Sequence, residues 1–156
     1  VRAWKDGETL LIRRPYAIRP WQHVLESLAG YLILAESLWS RPELAGSYNF
    51  GPKEQDLVSV NAIIELARKS FDNAKVMHGD VNEGPFESEY LALDTSKVKN
   101  KLGYLPVWNC KESVERAVNW YVSWDSGETA SDLCNSDLDH YEYSRKINFQ
   151  SLSTEL

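Results

Sequence analysis

Two cysteines, one methionine, three histidines and eight glycines in 156 residues each close off a class of chemistry. Cys110 and Cys134 have no partners at zinc-ligand spacing, and a pair of cysteines this sparse argues neither a metal centre nor a disulfide framework. His78 and His140 stand alone in the sequence. The glycines never gather into Gly-x-Gly-x-x-Gly or Gly-x-x-Gly-x-x-Gly, so the chain lacks the turn on which a dinucleotide's pyrophosphate is cradled. No apolar run approaches the roughly 20 residues that cross a bilayer as a helix, and no leader-like segment is recognisable. A reducing cytoplasm is the default expectation. A net charge of −6 argues against general nucleic-acid binding.

Charge is nevertheless unevenly placed. Residues 1–20 hold Arg2, Lys5, Arg13, Arg14 and Arg19 against Asp6 and Glu8, a local +3 that leaves −9 for the remainder. A small positive site on an acidic protein suits a small anionic ligand better than a polymer. Three of these cations fall in Arg13-Arg14-Pro15-Tyr16-Ala17-Ile18-Arg19-Pro20-Trp21-Gln22-His23. Guanidinium forks match phosphate oxygens two at a time, and the prolines stiffen the loop that presents them. A solvated basic loop is the alternative on spacing alone.

A hydrophobic content of 43% supports a single modest core. Thr9–Ile12 reads as a strand. Val24, Leu28, Tyr31, Leu32, Ala35, Leu38 and Trp39 form the stripe of an amphipathic helix that ends at Arg41-Pro42, with Gly30 marking a close approach. Residues 46–52 suggest a brief strand, and Ser59 caps a helix carrying Val60, Ile63, Ile64, Ala67 and Phe71. Strands are expected near Ala74–Met77 and Glu89–Leu93. Asp94 or Thr95 caps a short helix stopped by Gly103, and Asn109 caps another with Val114, Ala117, Val118 and Tyr121 on one face. Residues 126–137 read as a polar loop, residues 138–149 as a short helix or mobile segment, and residues 150–156 as disordered.

Arg19-Pro20-Trp21-Gln22-His23-Val24-Leu25, with Gly30-Tyr31-Leu32, Tyr48-Asn49-Phe50-Gly51-Pro52, the segment from Glu87 to Asp94, and Leu102-Gly103-Tyr104-x-Pro106-x-Trp108, resembles the carboxy-terminal half of CDP-glucose 4,6-dehydratases. These belong to the extended short-chain dehydrogenase/reductases, whose sugar-nucleotide enzymes carry an Arg-x-Trp-x-Tyr/His-Val-x-Asp/Glu element. The resemblance implies a helix-rich α/β fold: a substrate-binding lobe over residues 1–125, followed by a loop and tail over residues 126–156. The Rossmann cofactor domain would be largely absent. None of the eight tyrosines has a lysine four positions later, so the Tyr-x-x-x-Lys pair of such enzymes would also lie upstream, and the chain reads as a fragment.

On that resemblance, Arg19 is the candidate grip on the substrate's phosphates, with a surface ion pair as the alternative. Arg13 matches an Ile-Arg-x-Pro element, although Arg14 and Tyr16 stand where asparagines are usual. Glu87 is retained from a Pro-His-Glu-Ala segment that lines the substrate cleft, while Phe86 and Ser88 replace its histidine and alanine. Trp21, His23 and Asp94 are read as structural. No catalytic, cofactor-binding or metal-ligating residue is expected in this segment. NAD would be bound by the missing amino-terminal domain, the partner would be a CDP-glucose-like nucleotide sugar, and the complete enzyme would be a homo-oligomer with neither nucleic-acid nor membrane partners. The rivals are a related epimerase or reductase and a non-enzymatic binding module.

Overall fold

A computed structural model of the chain describes residues 1–71, 73–79 and 88–154, with helical side chains described as far as residue 148. The architecture is α/β and helix-rich. Its elements are α1 (Arg2–Lys5), β1 (Leu10–Ile12), β2 (Ile18–Arg19), α2 (Val24–Ser40), β3 (Val58–Ser59), α3 (Val60–Ala67), β4 (Val76–His78), α4 (Ser96–Leu102), α5 (Cys110–Asp125) and α6 (Ala130–Thr154). β1 pairs in parallel with β4, Leu10 opposite Val76 and Ile12 opposite His78. β2 pairs antiparallel with β3, Arg19 opposite Val58.

Helix starts follow side-chain chemistry. Ser59 Oγ accepts the Ala62 N–H, Asn109 Oδ1 accepts the Glu112 N–H, and Asp94 Oδ1 accepts the Ser96 N–H, each satisfying a donor that the first helical turn leaves unpaired. α4 stops at Gly103, whose φ of 65° is the left-handed conformation expected there. Among the described residues, two apolar clusters form the core. Trp4, Ala67 and Val118 gather Leu10, Ile64, Phe71 and Val76 beneath the β1–β4 pair, while Phe50, Val98 and Tyr104 gather Ile33, Leu34, Tyr48 and Leu102.

Several expectations are corrected. No strand forms over residues 46–52, and the expected strand near 89–93 reduces to one bridge, between Tyr90 and Ile18. Residues 126–129 of the stretch read as a polar loop are non-helical, but residues 130–137 are the start of α6, which reaches Thr154 and so includes residues expected to be disordered. Thr129 caps it, its hydroxyl accepting the Asp132 N–H and donating to the Asp132 carboxylate. Its inward face carries Leu133, Asp137 and Tyr141, all buried; a carboxylate in the middle of that stripe conceals the helical period. The apolar stripe on α2 is also misassigned. Val24, Leu28, Tyr31, Leu32 and Trp39 are exposed, whereas the buried positions are Glu26 and Gly30. The close approach at Gly30 is real: a Cβ there would lie 2.2 Å from the Phe50 ring.

Candidate functional site

The arginine loop links β1 to β2. After the buried Ile12, Arg13 is exposed, and the chain turns through Arg14–Ala17, closed by a hydrogen bond from the Ala17 N–H to the Arg14 carbonyl. Backbone N–H groups of Asn61 and Val60, at the start of α3, donate to the carbonyls of Pro15 and Ala17 at 2.8 and 2.9 Å. Pro15 and Ala17 are buried, so the loop hangs on two apolar pegs and two backbone bonds. Such anchoring lets a short loop hold a long cationic side chain in one place.

Arg19 itself lies in β2, between two neighbouring segments. Val58 faces it across the antiparallel pair. On the other side, Ile18 donates its N–H to the Glu89 carbonyl at 2.8 Å and accepts the Leu91 N–H at 3.1 Å. One Arg19 guanidinium nitrogen donates to the Ile18 carbonyl at 2.8 Å. Arg13 and Arg19 both have interaction partners within the folded chain. The structure therefore brings the arginine strand beside residues 88–91, the end of the segment expected to line the substrate cleft. Glu87, like Phe86, lies outside the described residues.

Trp21, Gln22 and His23 carry the loop into α2. Gln22 donates to the Phe50 carbonyl at 3.0 Å and to Ser27 Oγ at 2.8 Å. Trp21 is half-buried, yet its indole N–H finds no acceptor, and Gln22 Oε1 is likewise unpartnered. His23 is structural, as expected. Its Nδ1 accepts the Leu25 N–H and caps α2, which places the imidazole proton on Nε2, facing Asp137 Oδ2 at 3.9 Å. Burial depresses its pKa, Asp137 opposing that fall and Arg116 adding to it.

The strongest polar constellation was not anticipated. Glu26, three residues beyond the cap, is 0% exposed. Its carboxylate accepts the Trp108 N–H at 2.7 Å, the Tyr141 hydroxyl at 2.8 Å, the Val107 N–H at 3.0 Å and the Tyr104 hydroxyl at 3.2 Å. The Tyr104 proton is shared with the Glu26 carbonyl at 2.9 Å. Donors from two separate parts of the chain, residues 104–108 and Tyr141, thus satisfy one buried carboxylate, the condition under which such a group is tolerated. Burial first, and then the Glu26 charge, push both tyrosine hydroxyls far above their usual range. They stay protonated donors. The signal for this hub was present in the final position of the Arg-x-Trp-x-His-Val-x-Glu element, but a glutamate near a helix start reads first as a solvated dipole partner.

Among the described residues, no group of His, Cys, Asp and Glu has the arrangement of a metal site, and no helix is long and apolar enough to cross a membrane.

No protein-family model matches the chain. By sequence it is 36% identical, over 129 residues, to the CDP-glucose 4,6-dehydratase of Salmonella typhimurium; the match takes in 82% of this chain and spans 36% of the relative's own length. By structure it resembles the UDP-glucuronic acid 4-epimerase of Bacillus cereus, solved with UDP-glucuronic acid and NAD. The TM-score is 0.57 and the identity 20%, over 73% of this chain and 35% of that one. A partial-consensus L-threonine 3-dehydrogenase gives a TM-score of 0.56 at 16% identity, over 76% of this chain and 38% of the other. At these identities the solved structures establish the fold alone. Across most of its own length, then, this chain is a relative of CDP-glucose 4,6-dehydratase, in the fold of part of an epimerase or dehydrogenase.

Proposed function

We propose that this chain is the carboxy-terminal, substrate-binding part of an NAD-dependent nucleotide-sugar 4,6-dehydratase acting on CDP-glucose to give the 4-keto-6-deoxy sugar nucleotide. The observation that carries the reading is the 36% identity to a CDP-glucose 4,6-dehydratase over 82% of the chain. The site's chemistry agrees with it. Arg19, fixed in β2 and backed by the anchored loop that carries Arg13, offers planar charge-assisted donors to a diphosphate. Residues 89–91 run alongside through their backbone bonds to Ile18, and Glu87, outside the described residues, is the carboxylate assigned to accept from sugar or ribose hydroxyls.

The 156 residues hold no glycine-rich phosphate turn and no Tyr-x-x-x-Lys pair, so the dinucleotide does not fit on this chain's own residues and belongs to a domain outside it. Two features favour such a neighbour. Parallel strands are ordinarily covered on both faces, yet Leu11 and Met77 leave one face of the β1–β4 pair exposed. The outward stripe of α2 adds Leu28, Tyr31, Leu32 and Trp39 to the uncovered apolar surface.

A related epimerase is the second reading, favoured by the likeness to the UDP-glucuronic acid 4-epimerase structure. Product mass separates the two, because a dehydratase removes one water and an epimerase removes nothing. The test is mass spectrometry of the product formed from CDP-glucose by the full-length protein, with substrate affinity measured for wild type, Arg19→Ala and Arg19→Lys. Arg19→Ala is expected to weaken binding about 10- to 150-fold, the worth of a hydrogen bond to a charged group, and Arg19→Lys to recover part of it. A product of unchanged mass overturns the dehydratase reading. Unchanged affinity of Arg19→Ala removes the phosphate grip.

A further inference from the structure

Two pairs of residues face each other across the junction of α2 and α6. His23 and Glu26 are the cap and third residue of α2, immediately after the Arg19 loop. Asp137 and Tyr141 are one helical turn apart on α6. Asp137 Oδ2 lies 3.9 Å from His23 Nε2, and the Tyr141 hydroxyl donates to Glu26 Oε2 at 2.8 Å. All four are buried. The α6 pair is itself held from behind: Arg116 of α5 donates to Asp137 Oδ1 at 3.1 Å and lies over the Trp108 ring, while Tyr141 and His23 both pack edge-on against that ring. Trp108 in turn donates its indole N–H to Ser144 of α6 at 3.2 Å, and His140 meets Glu112 of α5 at 3.0 Å.

We propose that α6 is the element that positions the arginine loop, with Asp137 and Tyr141 as its positioning residues. The inference rests on the phosphate-grip reading of Arg19 and adds to it the part of the chain that sets where that arginine stands. Neither residue touches substrate on this account. The chain between Arg19 and His23 is four peptide bonds long and includes Pro20, so a shift of the α2 cap is transmitted to the strand with little slack. A polar clamp also explains why α6 carries a buried carboxylate in mid-stripe, where an apolar residue would pack at lower desolvation cost.

A double-mutant cycle in the full-length protein tests this. Tyr141→Phe deletes one hydroxyl and keeps the ring on Trp108; Asp137→Asn keeps shape and removes charge, and it serves where the first variant folds poorly. Each is expected to raise KM for CDP-glucose about two- to tenfold, the range of one lost hydrogen bond, with kcat nearly unchanged. Combined with Arg19→Ala, neither is expected to weaken binding further, because the loop it positions no longer holds the phosphate. A lowered melting temperature with unchanged KM would make α6 a stabilising strap only, and overturn the inference. So would effects that multiply with Arg19→Ala, since Asp137 and Tyr141 would then act on binding by another route. If Arg19→Ala alone leaves KM unchanged, the phosphate-grip reading fails first, and the positioning role falls with it.

Discussion

The two faces of α2 invert the usual rule. The inward face carries Glu26 at 0% exposure and Gly30 under the Phe50 ring; the outward face carries Leu32 at 72% and Trp39 at 93%. A charged residue is buried because two backbone N–H groups and two tyrosine hydroxyls meet it. Apolar residues are exposed although nothing about their own chemistry favours water. Hydrophobic periodicity therefore locates a helix correctly and can still name the wrong face as its core side.

The largest effect is expected from breaking the inward face. Glu26→Ala leaves the Val107 and Trp108 N–H groups and the Tyr141 hydroxyl without their acceptor, while Tyr104 keeps the residue 26 carbonyl; the expected loss is about 3–5 kcal/mol, with a melting temperature lower by on the order of 10 °C. Glu26→Gln is expected to fall between it and wild type, since an amide oxygen still accepts from the Val107 and Trp108 N–H groups. Thermal melting of the three proteins checks this. An alanine variant melting within a degree or two of wild type would show that the hub contributes nothing.

Gly30→Ala sharpens the same comparison by steric means. The added carbon would lie 2.2 and 2.5 Å from two Phe50 ring atoms, an overlap that costs about 1–3 kcal/mol and outweighs the roughly 1 kcal/mol gained in helix propensity. In a Phe50→Ala background the clash vanishes, and Gly30→Ala is expected to stabilise relative to Phe50→Ala alone. Destabilisation in both backgrounds would mean the Phe50 ring is not the reason for the glycine.

Much of this architecture was legible in the residues. Ser59, Asn109 and Gly103 mark helix ends through local chemistry that acts within three or four residues, and each was placed correctly. The arginine loop stood out as a motif, but its pairing with residues 89–91 did not, because the backbone bonds that join Ile18 to Glu89 and Leu91 span some seventy positions. The Glu26 hub was not legible, because its acceptor and donors are separated by 78 to 115 positions and no local pattern records such a meeting. α6 was hidden by the same network: Asp137 interrupts its apolar period for the sake of Arg116 and His23.

A smaller, pH-dependent effect is expected at His23, where the inward face meets α6. Burial depresses the folded pKa below the ordinary imidazole value of about 6.5, with Asp137 opposing and Arg116 assisting. The stabilisation from keeping this ring neutral is thus present above pH ~6.5 and is lost as pH falls through the depressed folded value. Protonation would also fill Nδ1 and break the cap bond from Leu25. His23→Asn, which retains a capping oxygen, is expected to flatten the stability profile between about pH 7 and 5 relative to wild type. Chemical denaturation across that window decides it, and a wild-type profile that falls no faster than the variant's would place the titration elsewhere.

The smallest effect on stability is expected from the outward face, and it gives the sharpest contrast. Leu32 and Trp39 lose little by substitution in the chain alone, because their side chains already meet solvent. Leu32→Glu and Trp39→Ser are therefore expected to change its stability by no more than about 0.5 kcal/mol. Their effect belongs to association: an uncovered apolar patch drives self-association or takes up hydrophobic dye, and a charge at its centre abolishes both. In the full-length protein the same substitutions should behave as core changes, costing about 2–5 kcal/mol, if a cofactor domain covers this face. Melting and light scattering of both lengths of chain separate the possibilities. Wild-type stability for Leu32→Glu in the full-length protein would mean that the stripe stays open there too, and that the domain interface lies elsewhere.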